Sequence, residues 1–180
     1  MKAFLHLIWY LSFSVLANAQ QYTEYELKSA YLFNFAKFVE YPENTFSSSR
    51  DAFIIGVYGN EAFLDVLQTI LKGRTLNNRN VIAIPVTQPA DMVNCQILYF
   101  SNISTNQAVM LLEAVVNKPI LTVGDNIEDF CLKGGMINFL PQYSKKRFEI
   151  NPNAVQRAEM KISSKLLILA RIVNDAEVKF

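Results

Sequence analysis

The sequence predicts an α/β domain: a single layered sandwich whose sheet is largely parallel, built from βαβ units and finished by a C-terminal antiparallel hairpin and a long closing helix. Three observations lead there. Four short runs rich in β-branched and aromatic residues, Phe53–Tyr58, Val81–Val86, Gln96–Ser101 and Ile120–Val123, alternate with stretches of helical period. Two further short runs, Gly135–Leu140 and Arg147–Ile150, are separated only by Pro141 to Lys146, the spacing of a hairpin. The chain has 180 residues, 51% hydrophobic and 18% charged, which suits one packed core and excludes a disordered chain.

The elements follow in order. Residues 1–19 read as a secretory signal peptide: Lys2, an apolar run of 13 residues from Phe4 to Leu16, then Ala17-Asn18-Ala19. The run is shorter than the roughly 20 residues that span a bilayer. Cleavage leaves residues 20–180 as one exported domain with 16 basic and 16 acidic residues. It also removes His6 and Trp9, the only His and Trp of the chain. A mature chain without His builds no Ser-His-Asp or Cys-His nucleophile system and no usual zinc site. The balanced charge argues against a nucleic-acid partner.

An N-terminal helix starts at the capping pair Thr23 and Glu26 and ends before Pro42. Leu27, Tyr31, Leu32, Phe35, Phe38 and Val39 form its apolar stripe, with Ser29, Lys37 and Glu40 opposite. Phe33 falls on that opposite side, either packed under another segment or part of a contact surface. After the first strand, Gly59-Asn60 opens a helix to Lys72. Pro85 suggests that the second strand lies at an edge. A short helix at Ala90–Val93 precedes the third strand, a helix Thr105–Asn117 precedes the fourth, and a short helix Ile127–Leu132 follows it. The closing helix is read from Asn153 to Val173, on a stripe of Val155, Ala158, Ile162, Leu166, Leu169 and Val173.

Little chemistry is visible. Gly59-Asn60, Ser101-Asn102 and Gly124-Asp125 stand at strand ends, where open sheets bind ligands, but each is also an ordinary cap or turn pair. Neither a dinucleotide fingerprint nor a phosphate-binding loop is present. Asp125, Glu128 and Asp129 form the one acidic cluster beside a loop, as expected in the first turn of a helix. No cofactor, metal or catalytic residue is therefore expected. Lys145, Lys146 and Arg147 mark the hairpin, as a solvated turn or a contact with an acidic partner or membrane surface. Cys95 and Cys131 lie 36 positions apart; in an oxidising compartment they either form one bridge or stay as two buried thiols that never meet, Cys131 being the better candidate of the two for exposure if unpaired.

Several strings together resemble the YfiR family of bacterial periplasmic proteins. They are Tyr25 to Pro42 (YELKSAYLFNFAKFVEYP), Gly134 to Phe139 (GGMINF), Arg147 to Asn151 (RFEIN), Ile162 to Leu167 (ISSKLL) and Leu169 to Arg171. The likeness runs from about Tyr22 to Val173. It implies a non-enzymatic regulator that binds and inhibits the periplasmic domain of an inner-membrane diguanylate cyclase, lowering cyclic di-GMP signalling and biofilm formation. It also implies sequestration by an outer-membrane lipoprotein, a homodimer, and disulfides that tie stability to redox state. With two cysteines, a pattern of two bridges would lack at least one here. The expected partner surface is Phe33, Asn34 and Lys37 on the outer side of the first helix, with Arg157, Leu167 and Arg171 on the closing helix. Asn138, Glu149 and Asn151 are expected to satisfy backbone groups around the hairpin. Two other classes remain open: a small-molecule-binding module feeding a sensor histidine kinase or another receptor, and a hydrolase using Asp or Glu alone.

Overall fold

The computed structural model describes residues 23–141 and 143–174; the segment read as a signal peptide lies outside them. Helix α1 spans residues 23–38 and runs directly into β1 (Val39–Glu40). A 3-10 turn, Glu43–Thr45, leads to β2 (Phe53–Tyr58), α2 (Glu61–Leu71), β3 (Thr75–Leu76) and β4 (Arg79–Pro85). Then come α3 (Pro89–Met92), β5 (Ile97–Phe100), α4 (Thr105–Glu113), β6 (Leu121–Asp125), β7 (Ile137–Phe139) and β8 (Phe148–Ile150). The chain closes with α5 (Pro152–Arg157), β9 (Lys161–Ile162), α6 (Ser164–Leu167) and β10 (Arg171–Ile172).

Eight strands form one sheet in the order β10-β8-β7-β6-β5-β2-β4-β3. The run β4-β2-β5-β6-β7 is parallel throughout, and in chain order it reads 2-1-3-4-5, a doubly wound arrangement. Strand β8 returns antiparallel to β7, which bears out the hairpin. Alternation within each strand feeds two cores. On β5, Ile97 and Tyr99 face one side and Leu98 and Phe100 the other. The first core packs α1, α2 and α5 on the sheet; the second packs α4. Burial on both faces is why these strands read as continuous apolar runs.

Three local readings are corrected. Asn153–Val173 is not one helix. Helix α5 ends at Arg157, Glu159 takes a left-handed φ of 57°, and β9 pairs antiparallel with β1. Ser163 then caps α6 and β10 joins the sheet parallel to β8. The apolar residues keep helical spacing, but tertiary pairing of β9 and β10 satisfies the backbone in another way. Residues 128–134 form turns rather than a helix, Asp129 taking φ 55°. Helix α4 stops at Glu113 rather than Asn117, whose φ of 57° lies in the left-handed region.

Pro85 sits in a strand that is flanked only partly. β3 covers β4 at Arg79 and Asn80 alone, so the stretch from Val81 onward has no strand on its outer side. There Gln68 Nε2 donates to the Ala83 carbonyl at 3.1 Å, and Val81 N–H reaches the Arg74 carbonyl at 3.0 Å.

Candidate functional site

The parallel strands end together at Tyr58, Phe100 and Asp125, and the crevice outside such ends is where doubly wound sheets take ligands. Here the chain fills much of it with its own first helix. Lys28, in the second turn of α1, places Nζ 2.8 and 3.0 Å from the two Asp125 carboxylate oxygens and 2.6 Å from Glu24. Tyr99 Oη donates to Asp125 at 2.5 Å, and Ser101 Oγ lies 3.3 Å from the same oxygen. Asn60 Nδ2 reaches Tyr25 Oη at 3.3 Å and Ser101 Oγ at 3.4 Å, while its Oδ1 caps α2 through Phe63 N–H at 3.0 Å. Tyr25 meets Phe63 edge-on, and Phe63 stacks on Tyr99 with centroids 4.3 Å apart.

Burial by itself would lower the Lys28 pKa, but the Asp125 and Glu24 carboxylates outweigh it and raise it above the ordinary lysine value. Desolvation, then the charge of Asp125, pushes the Tyr99 hydroxyl well above its ordinary value. The cluster is thus an ammonium, a carboxylate and a neutral phenol that satisfy one another. It binds α1 to the sheet. Asp125 does not join Glu128 and Asp129 in a cation site, and among the described residues no group of three His, Cys, Asp or Glu is placed to hold a metal.

Beside this cluster a cavity of about 560 Å³ opens at the ends of β2, β4 and β5. Tyr58, Leu64, Val86 and Ile103 give it apolar walls; Asn60, Glu61, Asn102 and Gln107 give it polar ones. Among the described residues no lysine or arginine lines it. Its floor is pinned by Gly59, whose φ of +85° lets the Ser101 carbonyl approach, and by Asn102 Nδ2, which donates to the Gly59 carbonyl at 3.0 Å.

The six residues expected at a partner surface do not form one patch. Asn34 and Lys37 are exposed on α1. Phe33 is a correction: it is only 7% exposed, and its ring lies under Lys37 Nζ at 4.4 Å and the Arg74 guanidinium at 5.1 Å. Its apparently polar face is covered by a residue 41 positions away, which helical periodicity does not register. Phe33→Ala is accordingly expected to cost about 3 kcal/mol and to lower the melting temperature measurably; an unchanged melting temperature would return Phe33 to the surface. Arg157 is exposed next to Asn117 and Gly134. Leu167 is half-buried against the first core.

Arg171 lies on the far sheet edge, where its guanidinium meets the buried Glu149 carboxylate through both Nε and Nη2. Asn138 Nδ2 donates to the other Glu149 oxygen at 3.2 Å. Asn138 also bonds both backbone groups of Ile127, and Asn151 bonds the Cys131 carbonyl and the Ala154 N–H. The structural reading of Asn138 and Asn151 therefore holds. Glu149 instead neutralises Arg171.

Cys95 and Cys131 are both free and both buried, so neither the bridge nor an exposed Cys131 is found. Burial pushes the Cys95 thiol up to about 11, and burial, then Glu149, pushes Cys131 well above its ordinary value. A thiol held above its unfolded value contributes stability that is complete below pH 9.0, the ordinary thiol value, and for Cys95 is lost as pH rises towards about 11. Native protein at neutral pH is expected to resist iodoacetamide at both thiols and to take up two labels in denaturant. Rapid native labelling of Cys131 would place it at the surface after all.

Among the described residues no helix is long and apolar enough to cross a membrane. A family model described as YfiR/HmsC-like matches residues 25–171, from the first turn of α1 into β10. No curated protein matches the chain.

Proposed function

The chain belongs to the YfiR/HmsC-like family, and on that footing we propose that it is a periplasmic, non-enzymatic regulator. It binds the periplasmic domain of an inner-membrane diguanylate cyclase and holds that cyclase in its inactive conformation, lowering cyclic di-GMP and biofilm formation. The observation that carries this reading is the extent of the match, which takes in α1, both cores and the C-terminal strands. The site chemistry is compatible with it: the buried charges are paired within the fold, so function falls to the surface. A binder lowers output by its differential affinity for two conformations of its target, and a hundredfold preference is worth about 2.7 kcal/mol.

The proposed assembly is a homodimer that an outer-membrane lipoprotein sequesters. Contact residues on α1 are Asn34 and Lys37; Phe33 acts beneath them as packing. Calorimetric titration with the purified periplasmic domain of an inner-membrane diguanylate cyclase from the same genome tests this. Binding should weaken with Asn34→Ala and Lys37→Glu at unchanged melting temperature. No heat of binding with the wild-type chain would contradict it.

The cavity beside Gly59 favours a second reading, a small-molecule-binding module that feeds a sensor histidine kinase. A ligand for that cavity must be neutral or cationic in the part that meets Glu61, since no basic side chain among the described residues lines it. A metabolite that raises the melting temperature of wild-type protein, but not of an Ile103→Trp variant, would support that reading.

A further inference from the structure

We propose that the β10 edge is a docking surface for an anionic lipid bilayer. The inference rests on the distribution of charge and apolar surface, independently of the cyclase reading. Overall the chain is almost balanced, with 17 basic and 16 acidic residues. The part from Pro141 to Phe180 leans basic: it holds eight Lys and Arg against Glu149, Glu159, Asp175 and Glu177. The Glu149 carboxylate is buried and bonded to Arg171, so it offsets little at the surface.

Within that basic segment the chain exposes aliphatic side chains. Ile168 and Leu169, in the turn after α6, are 75% and 57% exposed. Ile172, on the edge strand itself, is 47% exposed. Among the described residues strand β10 pairs only with β8. Lys146 Nζ donates to the Ile168 carbonyl at 2.8 Å, which brings the hairpin loop against this turn. Lys145 is next to it in the chain, and Lys165 lies one helical turn before Ile168 and Leu169. Tyr143, in the same hairpin loop, is 90% exposed.

The composition separates a lipid from a protein partner. Protein interfaces are enriched in Arg and aromatic residues and depleted in Lys. This surface sets Ile168, Leu169 and Ile172 among Lys145, Lys146 and Lys165; Tyr143 is the exposed aromatic beside them, and the Arg171 guanidinium is taken up by Glu149. Peripheral membrane anchors are built that way: the aliphatic tip enters the acyl boundary, and lysine stems lie along it with their ammonium groups among anionic headgroups.

Co-sedimentation with vesicles tests the proposal, using the chain from Gln20 onward, which holds every element described. Vesicles of phosphatidylcholine mixed equally with phosphatidylglycerol should carry the protein down, and phosphatidylcholine alone should not. Added salt should weaken binding. The double variant Ile168→Ser, Leu169→Ser should lose roughly tenfold or more, and Lys145→Gln and Lys165→Gln about fivefold each. Melting temperatures should stay at the wild-type value, because these side chains are exposed. The proposal is overturned by no binding to the anionic vesicles, by equal binding to neutral ones, or by variants that bind as wild type does. It also falls if vesicles are not bound while the same variants lose a purified partner domain, since the surface would then be a protein interface.

Discussion

Asp125→Ala is expected to destabilise the fold by about 4 kcal/mol, one of the two largest effects of a single side chain in this protein. The carboxylate accepts from Lys28, Tyr99 and Ser101 at once. Its removal leaves a largely buried ammonium with only Glu24 as counter-charge, and a fully buried tyrosine hydroxyl without its acceptor. The Tyr99 hydroxyl then bears the desolvation cost of an orphaned group, while Lys28 keeps one of its two counter-charges. Paired replacement should be milder: Lys28→Met with Asp125→Asn removes both charges together, and the amide oxygen still accepts from Tyr99. Urea unfolding at constant m-value measures the difference. A loss below about 1 kcal/mol for Asp125→Ala would mean that the pair is solvated and does not hold α1.

Gly59→Ala should be nearly as damaging, for a different reason. A Cβ at position 59 would stand 2.1 Å from the Ser101 carbonyl oxygen, a backbone atom that no rotamer can move. The residue also holds a φ of +85°. The loops after β2 and β5 would have to separate, breaking the Asn102 to Gly59 bond and distorting the wall of the cavity. A cost of roughly 3 kcal/mol or more is expected. Gly73→Ala is the matched control, because Gly73 has φ +74° but no atom within 4 Å of its would-be Cβ. It should cost only about 1 kcal/mol, from backbone strain alone. Equal losses at the two positions would show that φ, not the close approach of Ser101, sets the cost.

The strands could be read from the chain because they are buried on both faces. Phe53–Tyr58 and Ile97–Phe100 admit no polar residue on either side, and the crossover helices carry ordinary caps such as Asn60 and Ser104. The C-terminal third was harder. Val155, Ala158, Ile162, Leu166 and Leu169 keep a spacing of three or four, and no Gly or Pro interrupts 153–173. What breaks the helix is Glu159 in a left-handed conformation and the pairing of Ile162 with Val39, 123 positions away. Ser163-Ser164 was the only local sign of a fresh helix start.

The candidate site was less legible still. Asp125 was visible at a strand end, but its partner Lys28 lies 97 positions away and reads as a routine charge on an amphipathic helix. Ser29 was assigned to the polar face, yet it is fully buried, with its hydroxyl bonded to the Tyr25 carbonyl. Phe33 falls on the polar side with two readings open, and the one found is packing under another segment, since Arg74 lies over its ring. The family strings, by contrast, were readable from the residues alone, and the family match over residues 25–171 agrees with them.

The most direct measurement is cyclic di-GMP synthesis by membranes that contain an inner-membrane diguanylate cyclase from the same genome, with the purified chain from Gln20 onward added to the face carrying the cyclase's periplasmic domain. Synthesis should fall in proportion to the protein added and level off at a fixed ratio to cyclase, with the added chain recovered unchanged. An unaltered rate at saturating protein, or a substrate consumed by the chain on its own, would contradict a regulator that acts by binding.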